Sequence, residues 1–328
     1  MKVSVVGAGS WGTALSIHLA RGGHDVVLWA RDPAVVEGIR SARAHPRRLT
    51  HLAIPESVRP TSDLREALAN GETVVVAVPC ASLRALLQTF PAPGGRALRF
   101  LSTGKGIEPD SLKRMSEVIR EYFPGAGVAA LSGPTFAEGV ARGDPSAAVV
   151  AGDEGDLARE LQAEFSTPHL RLYSSDDLVG VELAGALKNV VAIAAGIVSG
   201  LGFGHNTLAA LVTRGLAEIG RIVRAWGGQD RTVHGLAGIG DLMLTCTGHQ
   251  SRNRRLGEEV GKGAKLAAVL MNQPEVAEGA RTCLAVPTMA ARVGVQAPIA
   301  EAVVRVLYEG DEPKAAVERL MTRALREE

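Results

Sequence analysis

The apolar positions divide the chain into two unlike halves. Up to about Ser174 they fall in short runs: Val3–Val6, Asp25–Trp29, Thr73–Val78, Arg99–Ser102, Val128–Leu131, Ala147–Ala151 and His169–Tyr173. Helical patterns lie between several of them, at Thr13–Arg21, Ser82–Gln88 and Ser111–Tyr122. Continuous apolar strands alternating with helices predict a parallel sheet covered on both faces. Beyond Ser174 the strand-like runs nearly vanish. Long helical stretches replace them: Leu178–Ser199, Leu208–Trp226, Arg254–Gly261, Val286–Val293, Ile299–Glu309 and Pro313–Leu325. An all-α second domain is predicted, with Ser175-Asp176-Asp177 capping its first helix. The expected division is residues 1–176 and 177–328. The most membrane-like stretch, Val190 to Gly204, falls short of the roughly 18–20 residues a span needs. It is rich in small residues and sits beside Lys188 and Asn189, so it reads as a buried core helix and no membrane insertion is expected.

Composition adds further limits. A length of 328 residues suits two domains. Lys plus Arg is 36 against 35 acidic residues, a net charge of +1, which argues against a nucleic-acid partner while leaving room for a small basic pocket. Only seven of those 36 cations are lysines, so a lysine in apolar surroundings stands out. The three cysteines, Cys80, Cys246 and Cys283, are too dispersed for a disulfide framework. The N-terminus runs straight into glycines instead of an export signal. A cytoplasmic location is the expectation. His205, His234 and His249 are scattered, and no metal site is expected.

Gly7-Ala8-Gly9-Ser10-Trp11-Gly12 directly follows the first strand and opens a helix at Thr13. In this setting G-x-G-x-x-G predicts a dinucleotide site. Gly7 permits the turn, Gly9 lets the backbone approach a pyrophosphate, and Gly12 lets helix and strand pack closely; the helix N-terminus adds amide donors. A glycine turn without a ligand, or a methyltransferase loop, is the plainer alternative. The second strand ends Trp29-Ala30-Arg31-Asp32. An acidic residue there suits the ribose hydroxyl of NAD, and an arginine suits the 2′-phosphate of NADP. Arg31 lies nearer the strand end and tilts the expectation to NADP, with NAD open. The fold class is thus an α/β Rossmann-type N-terminal domain with a parallel sheet, followed by an all-α C-terminal domain.

Three loops are expected beyond the carboxyl ends of strands: Val76-Ala77-Val78-Pro79, Ser102-Thr103-Gly104-Lys105-Gly106, and Ser132-Gly133-Pro134-Thr135-Phe136-Ala137. Ordinary turns use the same residues. Lys105, bracketed by glycines, has little packing reason to be there and suits an anion or a reacting oxygen. Gly185-Ala186-Leu187-Lys188-Asn189-Val190 places a lysine inside a small, apolar helix. Burial lowers a lysine's pKa and equips it to exchange a proton near neutrality; snorkelling to the surface is the alternative. Asp241 and Thr245 are i,i+4 neighbours if helical, and offer partners, unless Asp241 merely caps a helix. Ser251-Arg252-Asn253 at a helix start suits a phosphate, although a solvated basic turn has the same composition.

Taken together, these runs resemble the bacterial NAD(P)-dependent glycerol-3-phosphate dehydrogenase family, as do Gly235-Leu236-Ala237-Gly238-Ile239-Gly240-Asp241-Leu242 and Val276-Ala277-Glu278-Gly279. The motifs occur in the family's order and span nearly the whole chain. The resemblance implies reversible conversion of sn-glycerol 3-phosphate to dihydroxyacetone phosphate, the reductive direction supplying glycerophospholipid synthesis. It implies Lys188 as proton acceptor, helped by Lys105 and Asp241. Lys105, Gly133, Thr135, Lys188, Asn189, Asp241, Thr245, Ser251, Arg252 and Asn253 would surround a small phosphorylated substrate. Gly7, Gly9, Ser10, Trp11, Gly12, Arg31, Lys105, Ala137, Arg252, Val276 and Glu278 would contact the cofactor. Two features depart from the family. Ala44–Pro55 lacks an expected Asn and a Tyr-Leu-Pro pattern, keeping only Ile54-Pro55, and Cys80 stands where Ser is usual.

The rival readings are a β-hydroxyacid or ketopantoate reductase-like dehydrogenase and a non-catalytic dinucleotide sensor. Ser251-Arg252-Asn253 favours a phosphorylated substrate over the first. Lys188 with Asp241 argues against the second. A homodimer is the assembly left open.

Overall fold

The structure is a computed structural model that describes residues 1–92, 94–153, 155–272 and 277–324. Its contacts separate two compact units. Met1–Gly104 with Arg114–Val181 form the first; Lys105–Lys113 with the chain from Glu182 onward form the second.

The first unit is built on eight strands: β1 Lys2–Val6, β2 Asp25–Trp29, β3 Val58–Thr61, β4 Thr73–Val76, β5 Arg99–Ser102, β6 Gly127–Ser132, β7 Ser146–Gly152 and β8 Leu170–Ser175. They lie in the order β3-β2-β1-β4-β5-β6-β7-β8. Seven helices accompany them: α1 Ser10–Arg21, α2 Pro33–Ala42, α3 Leu64–Ala69, α4 Cys80–Leu87, α5 Met115–Tyr122, α6 Ala137–Arg142 and α7 Leu157–Phe165. Successive strand residues point to opposite faces. Val3 and Val5 join one apolar core with α1, α2 and α7, and Val6, Val74 and Val76 join a second with α3, α4 and α5. Both faces are therefore dry, which is why the strands read as unbroken apolar runs.

Three elements differ from the expectation. β3 was not predicted. It is an edge strand paired only with β2 and carries Arg59 and Pro60, residues that an edge tolerates and a sequence pattern hides. The sheet is mixed, because β7 runs antiparallel to β6 while β8 is parallel to β7. A doubly buried strand is apolar in either direction, so Ala147–Ala151 carries no record of its polarity. The helix expected from Ser111 begins at Met115, since Glu108 and Lys113 close a backbone turn first.

From Glu182 onward the second unit is helical in its described residues, apart from the connections. It contains α8 Leu178–Gly200 (from Glu182), α9 His205–Ala225, α10 Asp230–Val233, a π-turn Leu236–Gly240, α11 Asp241–Thr247, α12 Arg252–Gly261, α13 Leu266–Asn272, α14 Glu278–Arg292, α15 Pro298–Val304 with a π-turn Arg305–Glu309, and α16 Pro313–Met321. The expected cap of α8 is present: the Asp177 carboxylate accepts from Gly180 N–H at 2.8 Å. Among the described residues α8 is the one helix long and apolar enough to cross a membrane, and its apolar window is wholly buried in protein. Its small residues have a packing cause. A Cβ on Gly196 would lie 2.0 Å from the carbonyl oxygen of Arg254, and one on Gly257 would lie 2.0 Å from that of Ile193. Helices α8 and α12 thus cross backbone to backbone, and that contact sets where α12 begins relative to Asn189.

Candidate active site

In the first unit the glycine run takes the shape its spacing demands. Gly7 has φ +116° and its N–H donates to the Trp29 carbonyl at 3.1 Å. A Cβ on Gly12 would lie 1.9 Å from the Gly7 carbonyl oxygen, whereas one on Gly9 would meet nothing within 4 Å. Gly12 therefore seals helix to turn, and Gly9 faces open space. Helix α1 follows with Gly9 as N-cap and no side-chain cap, so Ser10 and Trp11 stand where backbone N–H groups collect at the positive end of the helix. An open, amide-lined turn of this kind fits a pyrophosphate. Gly12→Ala is expected to cost about 1–3 kcal/mol through overpacking, with weakened dinucleotide binding; thermal melting and a cofactor titration check both.

The other first-unit candidates are spread along the ends of strands. Arg31 is exposed just beyond β2. Asp32 caps α2, accepting from Ala34 N–H at 2.9 Å. Gly133 has φ +141° and packs against Ala148, with a Cβ position 2.9 Å from its Cα. The Thr135 hydroxyl donates to the Gly133 carbonyl at 3.2 Å. Ala137 opens α6.

The second unit brings the two singled-out lysines to one carboxylate. Lys188 Nζ donates to Asp241 Oδ1 at 2.9 Å and to Thr245 Oγ1 at 2.6 Å. Lys105 Nζ donates to Asp241 Oδ2 at 2.6 Å. The Asp241 side chain is 1% exposed and that of Lys188 is 7%. The π-turn Leu236–Gly240 delivers Asp241 here. Its wider winding, closed by Gly240 N–H on the Gly235 carbonyl at 3.2 Å, is a feature often found at functional sites. A Cβ on Gly238 would lie 2.0 Å from the Val233 carbonyl oxygen, so the glycine-rich sequence is what lets the turn form. The i,i+4 expectation for Asp241 and Thr245 holds: both meet Lys188, and the Thr245 hydroxyl donates to the Asp241 carbonyl at 2.6 Å.

Electrostatics follow from this packing. Burial pushes the Lys188 ammonium down to about 8; the nearby Lys105 charge adds to the effect and Asp241 opposes it. Burial disfavours the Asp241 charge, yet the two lysines overcome it and hold the carboxyl below its usual range. A buried lysine thus sits close to proton exchange beside a carboxylate that stays ionised.

A chain of amides extends from this cluster. Asn189 Nδ2 donates to the Lys105 carbonyl at 2.8 Å, Asn253 Nδ2 donates to Asn189 Oδ1 at 2.8 Å, and Gly279 N–H donates to Asn253 Oδ1 at 2.9 Å. The backbone of Lys105 and the first turns of α12 and α14 are joined through two buried side chains. Sequence spacing gave no sign of this chain. Ser251 caps α12, accepting from Arg254 N–H at 3.2 Å. Arg252 is exposed on the same turn, and Glu278 opens α14, partly buried. Val276 lies outside the described residues. Missed by sequence reasoning were His45 and Arg47, which the structure sets beside the glycine turn and Asp32.

Comparison with known proteins gives the family. The family described as NAD-dependent glycerol-3-phosphate dehydrogenase N-terminus matches residues 2–158, and its C-terminus counterpart matches residues 177–318. The NAD(P)+ glycerol-3-phosphate dehydrogenase of Nitratidesulfovibrio vulgaris is 46% identical over 330 residues, covering 100% of both chains. The first such enzyme of Salinibacter ruber is also 46% identical, over 100% of this chain and 97% of its own. The crystal structure of the Coxiella burnetii glycerol-3-phosphate dehydrogenase superposes with a TM-score of 0.92 at 34% identity, covering 98% of each chain. A ketopantoate reductase from Ralstonia eutropha shares the fold alone, with a TM-score of 0.60 at 18% identity over 98% of this chain and 100% of its own. With both domain families matched in order and full-length relatives at this identity, the chain belongs to the NAD-dependent glycerol-3-phosphate dehydrogenase family.

Proposed function

We propose that the protein interconverts sn-glycerol 3-phosphate and dihydroxyacetone phosphate with NAD(P), the reduction supplying glycerol 3-phosphate for glycerophospholipid synthesis. The observation that carries the chemistry is Lys188, buried and bonded to Asp241 and Thr245. The full-length relatives named for this reaction carry the substrate. Residues 1–176 are assigned the dinucleotide and residues 177–328 the substrate. Gly7, Gly9, Ser10, Trp11 and Gly12 would hold the pyrophosphate, with Arg31 and Ala137 contributing. When bound, the nicotinamide supplies the acceptor or donor for the hydride.

The chain's own residues handle the proton. A lysine ammonium has three N–H donors. Asp241 and Thr245 take two from Lys188 and so fix the third position, from which a proton is exchanged with the substrate hydroxyl. Neutral Lys188 accepts that proton in oxidation; charged Lys188 returns it in reduction and stabilises the developing alkoxide. Lys105 occupies the other Asp241 oxygen, which limits how far the carboxylate can raise the Lys188 pKa. Arg252 and Asn253 anchor the phosphate away from the reacting carbon, spending remote binding energy on orientation. The three cysteines stand outside any disulfide, in keeping with the reducing cytoplasm assigned to the protein.

The decisive experiment mixes purified protein with dihydroxyacetone phosphate and NADPH or NADH and follows nicotinamide absorbance. Absence of oxidation under conditions where the cofactor binds would overturn the proposal. The pH dependence follows from Lys188. At pH 7 about a tenth of a base with a pKa near 8 is neutral. Oxidation of glycerol 3-phosphate is therefore expected to rise about tenfold toward a plateau above pH 8, while reduction falls across the same range. Initial rates in both directions across pH 6–10 check the opposed limbs.

A further inference from the structure

The segment between α2 and β3 departs from the family pattern, and in the structure it is fastened to the glycine turn. His45 is 2% exposed. Its Nδ1 accepts the backbone N–H groups of Arg47 and Arg48, both at 3.1 Å. Those donors require a lone pair on Nδ1, so the proton sits on Nε2, which donates to the Ala8 carbonyl at 2.9 Å. Ala8 lies between Gly7 and Gly9. One neutral imidazole thus ties the arginine loop to the turn that would hold the pyrophosphate. The loop presents Arg47, with a side chain 62% exposed, to Asp32 Oδ2 at 2.5 Å. The other Asp32 oxygen is held by Ala34 N–H at the start of α2. Arg31 adds its charge to that of Arg47 around the same carboxyl.

The acidic residue after β2 is therefore committed on both oxygens, to the Arg47 guanidinium and to the Ala34 N–H. A carboxylate bonded to an arginine in a solvent-facing position is readily exchanged for a phosphate, since both present the same oxygen geometry to the guanidinium. We infer that Arg47 is a specificity-determining residue that, with Arg31, takes the 2′-phosphate of the cofactor's adenosine ribose, that His45 positions it, and that Asp32 holds its place when no phosphate is bound. The inference rests on the dinucleotide assignment above and specifies which dinucleotide that site selects.

The test uses two adenosine fragments, 2′,5′-ADP and 5′-AMP, titrated calorimetrically into the full-length protein and two surface variants. The wild type is expected to prefer 2′,5′-ADP by about tenfold or more, the scale of one charge-assisted hydrogen bond. Arg47→Ala removes about tenfold of that preference. Asp32→Asn keeps an N-cap oxygen for Ala34 while deleting the charge that competes for Arg47; it raises the preference about threefold or more. The signs of the two variants are opposite, which a general loosening of the loop would not produce. Retention of the wild-type preference by Arg47→Ala overturns the inference. So does Asp32→Asn weakening 5′-AMP alone, since Asp32 would then serve a ribose hydroxyl. A wild type that prefers 5′-AMP overturns it while leaving the dinucleotide assignment standing. Failure to bind either fragment overturns both.

Discussion

Lys188→Ala is expected to lower turnover in both directions by about 10²–10⁴-fold, the range of a positioned acid or base, while the dinucleotide still binds. The reason is local. Removing Lys188 leaves Asp241 paired with Lys105 at 2.6 Å, so no buried charge is stranded and the helices keep their contacts. Only the proton-exchanging group is lost. Lys188→Arg separates the two roles a lysine plays: an arginine keeps a positive charge and cannot give up its proton at accessible pH. It is expected to fail in oxidation as badly as alanine. Adding a small primary amine to Lys188→Ala should restore part of the rate, with a pH dependence set by the added amine. Near-normal turnover in Lys188→Ala would remove this residue as the base and return attention to Lys105.

Asp241→Asn is expected to damage both stability and the pH profile. The carboxylate accepts from two ammonium groups, one on each oxygen. An asparagine at that position offers one acceptor oxygen, and its amide N–H groups point donors at cations. Breaking a buried pair by removing one partner costs about 3–5 kcal/mol, and part of that cost is relieved if a lysine loses its proton. The acid limb of oxidation should therefore move below pH 8, with a lower plateau because Lys188 is held only by Thr245. Thermal melts and pH-rate profiles of the same preparation check the pair of effects. An acid limb that stays near pH 8 would mean that Asp241 does not govern the charge on Lys188.

The sequence made the lysines visible but not their meeting. Lys188 stands out because a cation in a small, apolar helix has no packing reason to be there. Lys105 stands out between two glycines. That both end on one carboxylate depends on a π-turn, and an i→i+5 winding leaves no period in the pattern of apolar residues. At the helix start, read as a phosphate site, the structure shows a capping Ser251, an exposed Arg252, and an Asn253 whose amide joins Asn189 to Gly279. Composition could not separate these roles, because a cap, an anchor and a linker use the same short polar residues. Most of the sheet was legible, since seven of its eight strands are apolar runs. The eighth, β3, escaped because Arg59 and Pro60 are what a protected edge favours. His45 escaped for another reason: one buried histidine in a polar loop shows neither its tautomer nor the carbonyl it reaches.

The backbone crossing of α8 and α12 bears on how members of this lineage can change in length. One residue inserted into α8 between Asn189 and Gly196 would turn the glycine by about 100° and shift it about 1.5 Å along the axis. A side chain would then face the carbonyl of Arg254, and Lys188 would lose its register with the start of α12. The connection after α8, residues 201–204, has no such constraint. Insertions and deletions should therefore accumulate there and be absent from residues 189–200 and 253–261, so that the lengths of these two segments are conserved even where their residues drift.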